Sequence, residues 1–208
     1  SCGRTTPRYM GRCPGCGEWN TMVETVEQTS KAKTRPSSQF QSQPRRLPEI
    51  ETEGLERYPV PMEELARVLG GGLVPGSLTL VGGDPGIGKS TLLLQASALM
   101  AETTGYPVLY VSGEESARQI RMRADRLQLT NDDLFVVTET DLETILHHAQ
   151  EITPGMMVVD SIQTVTSEDL TSAAGSISQV RHAATQLRGW AKSSGIAIFL
   201  VGHVTKKG

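Results

Sequence analysis

Gly83-Asp84-Pro85-Gly86-Ile87-Gly88-Lys89-Ser90 fits G-x-x-x-x-G-K-[ST], the pattern of a loop that cradles the phosphates of a nucleoside triphosphate. The flanks suit it. Leu78-Thr79-Leu80-Val81 ahead reads as a buried strand, and Ser90-Thr91-Leu92-Leu93-Leu94-Gln95 behind reads as a helix start. Gly83, Gly86 and Gly88 let the backbone wrap a phosphate with its N–H groups turned inward. The helix N-terminus adds partial positive charge. Lys89 is expected to reach the β- and γ-phosphates of ATP, and the Ser90 hydroxyl to ligate Mg²⁺. Asp84, Pro85, Ile87 and Thr91 complete the stretch expected to line the nucleotide. A glycine-rich turn that binds nothing is the plainer alternative; strand, loop and helix in register argue against it.

Downstream, apolar runs alternate with helical patterns. The helix from Ser90 to Ala101 is followed by a strand at Val108–Val111 and an amphipathic helix from Glu115 to Leu127. A strand at Leu134–Val137, a helix at Leu142–Ala149 and a strand at Met156–Val159 come next. Ile177, Val180, Ala184, Leu187 and Ala191 mark one face of a longer helix, and Ile196–Val201 is the last strand. Strands apolar at every position predict burial on both faces, so the fold class is α/β, a parallel sheet clad in helices. Upstream, Met62–Leu69 has helical spacing and stops at Gly70-Gly71-Gly72.

Three strand ends carry chemistry. Asp160 closes the apolar strand Met156–Val159, where an acid would hold Mg²⁺, mostly through water. Ser112-Gly113-Glu114-Glu115-Ser116 follows the second strand, which should lie near the fourth. One of these glutamates could orient or deprotonate an attacking water; a helix N-terminal acid is the other role on offer. Glu114 is assigned to the loop and the chemistry, Glu115 to the helix opening. His203, at the end of the last strand, stands where it could hydrogen-bond the γ-phosphate and relay its presence.

The N-terminal end is different in kind. All three cysteines, Cys2, Cys13 and Cys16, lie there. Cys13-Pro14-Gly15-Cys16-Gly17 has zinc-knuckle spacing, and Cys2-Gly3 repeats its ending with a partner cysteine expected three residues upstream. A zinc ribbon is the leading reading, a redox pair or inert thiols the alternatives. Arg8, Tyr9 and Trp19 are expected to pack beside such a site. From Thr25 the chain turns polar, rich in Ser, Gln, Thr and Pro, and somewhat basic, as a solvated linker would be. The domains expected are therefore a ribbon over 1–24, a linker over 25–54 and an α/β domain over 55–208. The net charge of −3 implies no generally basic surface, and no apolar run suffices for a membrane helix.

These motifs together resemble one family. The ribbon ending Gly17-Glu18-Trp19-Asn20-Thr21 and the run Leu69–Ser77 belong to the pattern. So do Gly82–Thr91, Val111–Ser116, Val159-Asp160-Ser161-Ile162-Gln163-Thr164 and Gly202-His203-Val204-Thr205-Lys206. The chain is similar to the bacterial RadA (Sms) family of DNA-repair ATPases, of the RecA/DnaB type. The resemblance implies a RecA-like ATPase core and a cytoplasmic, homo-hexameric motor. It implies action on single-stranded DNA and branched recombination intermediates, promotion of branch migration, and a RecA-type recombinase as partner. Carried over by position, Lys89 and Ser90 are the P-loop pair and Asp160 the metal-holding acid. Glu114 becomes the catalytic glutamate and His203 the nucleotide sensor. The family's first zinc cysteine, its Lys-Asn-Arg-Phe-Gly motif and its protease-like C-terminal domain have no counterpart here, which suggests a fragment. The polar loop Gln163–Ser178 and the pair Lys206-Lys207 fall where family loops would meet DNA, although an ordinary surface loop explains them more simply.

Two classes of function remain open. One is a motor that couples ATP hydrolysis to movement along DNA. The other is a nucleotide-dependent switch that regulates a recombinase with little turnover. A clock ATPase of the KaiC kind is a third, disfavoured by the ribbon.

Overall fold

The structure, a computed structural model, describes residues 12, 13, 15–19, 44–50 and 56–203. The chain divides into two units, Ser1–Ile50 and Glu51–Gly208.

In the first unit, the Cys13 N–H donates to the Glu18 carbonyl and the Gly17 N–H to the Cys13 carbonyl, both at 2.9 Å. Arg12 and Trp19 bridge in antiparallel fashion across this turn. Trp19 is 69% exposed, contrary to the packing expected of it, and its ring meets the Arg12 guanidinium at 5.9 Å. Arg8 and Tyr9 lie outside the described residues. A single 3₁₀ turn, Leu47–Glu49, follows.

In the second unit a short helix, α1 (Glu63–Val68), precedes a parallel sheet. Its strands are β1 (Leu78–Gly83), β2 (Val108–Ser112), β3 (Leu134–Thr138), β4 (Met156–Asp160) and β5 (Ala197–His203). Between them run α2 (Lys89–Thr104), α3 (Ala117–Arg126), α4 (Leu142–Ile152) and α5 (Ile177–Ser194). The spatial order is β1-β5-β4-β2-β3, every pairing parallel. Parallel pairing needs crossovers, and the helices supply them. All strands point one way, so their C-terminal ends gather along one rim.

Period-two alternation divides the core. Val108, Tyr110, Met156, Val158, Phe199 and Val201 pack with Leu93, Leu94, Ile120 and Ala124 of α2 and α3. Leu109, Val111, Met157, Val159, Ile198 and Leu200 pack with Ile145, Ala149, Ala183, Leu187 and Ala191 of α4 and α5. The central strands β2 and β4 are buried throughout, as their apolar runs require. Burial of every strand on both faces does not hold. β1 and β3 are the sheet's edges, with Leu80 64%, Phe135 42% and Val136 37% exposed. On α5 the buried line is Gln179, Ala183, Leu187 and Ala191, a strict i, i+4 row. Ile177, expected on that face, is 77% exposed.

Candidate functional site

The loop between β1 and α2 lies on the rim formed by the strand ends. Gly83 ends β1, while Asp84, Pro85, Gly86 and Ile87 form the exposed turn. Gly88 is the N-cap of α2 at φ 99°, a left-handed conformation that suits glycine and offers no capping side chain. The helices α3, α4 and α5 each receive a side-chain cap, from Ser116, Asp141 and Ser176. The start of α2 receives no side-chain cap, an arrangement that suits an anion such as phosphate. Ser90 and Thr91 occupy its first turn.

Lys89 is buried, at 7% exposure. Its ammonium donates to the carbonyls of Gly83 and Asp84, both at 2.9 Å, and lies 3.4 Å from Nδ1 of His203. The other ring nitrogen of His203, Nε2, is 3.2 Å from Glu114 Oε1. An ammonium has only protons to offer, so Nδ1 accepts and Nε2–H donates to the carboxylate; one neutral tautomer serves both contacts. Glu114 also accepts a 2.6 Å hydrogen bond from the hydroxyl of the fully buried Ser161. That bond is the main reason its carboxyl sits below the ordinary glutamate range; partial burial opposes it, and His203 and Lys89 reinforce it. Lys89, His203, Glu114 and Ser161 thus form one continuous polar chain across the strand ends.

Topology explains the meeting. β5 lies between β1 and β4 and sets His203 opposite Gly83. β2 pairs with β4 in the register Ser112↔Asp160, so the turn after β2 faces the end of β4. Gly113 permits this approach, because a Cβ there would overlap the Thr164 side chain. The expectation that the second strand lies near the fourth therefore holds.

Glu115 does not open a helix. α3 begins at Ala117, and Ser116 caps it in a reciprocal box with Gln119. Glu115 sits before the cap, its N–H donating to Ser112 Oγ at 3.0 Å and its carboxylate paired with Arg123.

Asp160 is buried, at 7% exposure, on the α2 side of the sheet. No hydrogen bond joins it to the Ser90 hydroxyl. Its partner is Tyr110, whose phenol donates to Asp160 Oδ2 at 2.6 Å and lies 3.4 Å from the Ser90 carbonyl. Burial first, then the charge and the hydrogen bond of Asp160, hold that phenol neutral far above its ordinary range. The sequence reading missed Tyr110 and Ser161. A signal existed for Tyr110: a tyrosine in an otherwise aliphatic buried strand needs a partner for its hydroxyl. The oxygens of Asp160 and Ser90 suit a hard divalent cation.

In the first unit the Cys13–Gly17 turn, with Gly17 at φ 75°, is a backbone on which two thiolates can share a metal. Cys13 is buried and Cys16 exposed. Cys2 lies outside the described residues, as do Lys206 and Lys207. Among the described residues, no three His, Cys, Asp or Glu side chains group to hold a metal. No described helix is long and apolar enough to cross a membrane.

Comparison with known proteins agrees with this architecture. Residues 1–24 match the rubredoxin metal binding domain family and residues 43–208 the AAA domain family. The chain is 52% identical to the DNA repair protein RadA of Bacillus subtilis and 50% identical to that of Pseudomonas aeruginosa, in each case over 100% of this chain and 46% of the relative. It thus spans about half the length of these relatives. A KaiC-like protein from Pyrococcus horikoshii shares the fold at a TM-score of 0.61 and 20% identity, over 72% of this chain and 73% of that one. The match over residues 43–208 places the chain in the AAA domain family of P-loop proteins, and over its whole length it is similar to the bacterial RadA DNA repair proteins.

Proposed function

We propose that the chain binds and hydrolyses ATP as the nucleotide-handling part of a DNA-repair protein. The polar chain Lys89–His203–Glu114 carries this reading, because it joins a phosphate-binding cation to a carboxylate poised for water. Lys89 supplies the point charge for the β- and γ-phosphates, and the free N–H groups at the start of α2 supply hydrogen bonds. Glu114, its side chain 44% exposed, is open to a water molecule that it orients and then relieves of a proton. Mg²⁺, held through Ser90 and Asp160, would neutralise charge developing on the phosphate oxygens. His203 touches both Lys89 and Glu114, so a change at one alters the other's partner.

The relatives' names as DNA-repair proteins support a nucleic-acid partner. The finer reading is a cytoplasmic homo-hexamer that moves on single-stranded DNA, promotes branch migration of recombination intermediates and works beside a RecA-type recombinase. The Cys13–Cys16 turn, with Cys2, would hold structural Zn²⁺.

ATP turnover, measured with and without single-stranded DNA, tests this in wild type and Lys89→Ala. DNA should stimulate the wild type. Lys89→Ala should lose most turnover with its circular dichroism unchanged. Wild-type turnover in that variant would remove Lys89 from the reaction. Turnover indifferent to DNA, with nucleotide-dependent recombinase binding, would favour the switch.

A further inference from the structure

We propose that Tyr110 is a positioning residue for the metal-facing carboxylate: its phenol fixes one oxygen of Asp160 so that the other is presented to the divalent cation that accompanies ATP. The inference rests on the nucleotide reading above and adds to it a residue outside the phosphate loop.

Tyr110 is 1% exposed, in the middle of a strand otherwise made of Val, Leu and Ser. A phenylalanine would fill the same space without a buried hydroxyl to satisfy. Asp160 poses the complementary problem, since a buried carboxylate needs a donor. The two meet in a charge-assisted hydrogen bond of 2.6 Å. The sheet dictates the partnership. Tyr110 pairs in register with Val158, and Asp160 follows two residues later on the same face. Two residues of strand advance about 6.6 Å, so the hydroxyl must be carried along the strand by a long, rigid body. The phenyl ring is that body.

The bond has a directional consequence. A carboxylate turns with little resistance about its last torsion, which has a broad, two-fold profile. Tethering Oδ2 sets the plane of the group. No protein donor contacts Oδ1 among the described residues. The phenol also lies 3.4 Å from the carbonyl of Ser90, whose hydroxyl is the other protein oxygen suited to the cation. Tyr110 therefore stands between the two residues that a shared ion must find in register. Partners of this kind typically change metal affinity 10–100-fold when removed.

The test separates metal linkage from folding and from nucleotide binding. Affinity for a fluorescent ATP analogue is measured in EDTA and across a Mg²⁺ titration, for wild type, Tyr110→Phe, Asp160→Asn and the double variant. Tyr110→Phe should keep the EDTA affinity and the circular dichroism of wild type. It should need about tenfold more Mg²⁺ to reach half of the metal-linked gain. In the Asp160→Asn background the same change should add nothing, because the oriented carboxylate is gone. An unchanged Mg²⁺ midpoint, an additive double variant, or failure of Tyr110→Phe to fold overturns the inference, the last because it would make the hydroxyl a structural requirement. Wild type that binds no nucleotide overturns the underlying nucleotide reading and this inference with it.

Discussion

At Glu114 several neighbours compete over one proton. The Ser161 hydroxyl favours the ionised form most, partial burial opposes it, and His203 and Lys89 add to it, for a net downward shift. A carboxylate so held is a weak base but a persistent anion, suited to orienting water before taking its proton. Removing the Ser161 hydroxyl by Ser161→Ala should move the acidic limb of the kcat/KM profile for ATP to higher pH. Glu114→Gln should abolish that limb and slow hydrolysis ~100-fold or more. An unmoved limb in Ser161→Ala would show that the hydrogen bond does not set the charge of Glu114. The linkage has a definite sign. The folded pKa is lowered, so the stabilisation is present above the unfolded glutamate value and is lost as pH falls through the folded one. Glu115 shows how close the sequence came. Ser116 and Gln119 spell a capping box, and reading it would have put the helix boundary at Ala117 and freed Glu115 for Arg123.

Helix caps set α2 apart from the three helices that follow it. Ser116, Asp141 and Ser176 each accept a hydrogen bond from the third helical N–H of α3, α4 and α5, whereas Gly88 gives α2 none. At α4 the Asp141 carboxylate takes both the N–H and the hydroxyl of Thr144, at 2.9 and 2.7 Å. Chiefly the Thr144 hydroxyl holds its pKa below the ordinary range, against the opposing effect of burial. Asp141→Ala should cost about 1 kcal/mol in urea denaturation at neutral pH, the usual scale for a lost cap. The difference should shrink as pH falls through the folded pKa of Asp141, where the wild-type cap becomes neutral. A deficit that persists undiminished in acid would assign the effect to packing. Elements themselves were legible because hydrophobic period survives without tertiary knowledge; the strands at Val108 and Met156 and the α2 and α4 helices need only their own residues. Exposure was not. Leu80 and Phe135 sit in runs as apolar as those of β2, and only strand order makes their strands edges. Gln179 was similarly hidden. Its carboxamide is buried because it binds the backbone of Ser167, Leu170 and Ser172 in the loop ahead, a demand no helical period encodes.

Over the whole molecule, the rim of strand ends could be anticipated from the alternation of strand and helix, but not which ends adjoin. That β5 lies between the strand of the phosphate loop and the strand of Asp160 is a property of the sheet, and it makes His203 rather than Asp160 the nearer neighbour of Lys89. The same order has a consequence for biosynthesis. Among the described residues the sole sheet neighbour of β1 is β5, with Leu78 beside Ile198, a separation of 120 positions (198 minus 78). The ribosome delivers β1 well before its partner, a gap of roughly 6–24 s at about 5–20 residues per second. Strands β2, β3 and β4 are all made within that interval, and β2 can already pair with both others. Nascent chains arrested before Ala197 emerges should not retain an immobilised ATP analogue, while chains extended until His203 clears the exit tunnel should. Retention by the shorter chains would mean that the loop matures without its strand being seated. Until then the growing polypeptide carries a finished phosphate-loop sequence on an orphan strand, so the arrival of β5 would act as the checkpoint that admits nucleotide.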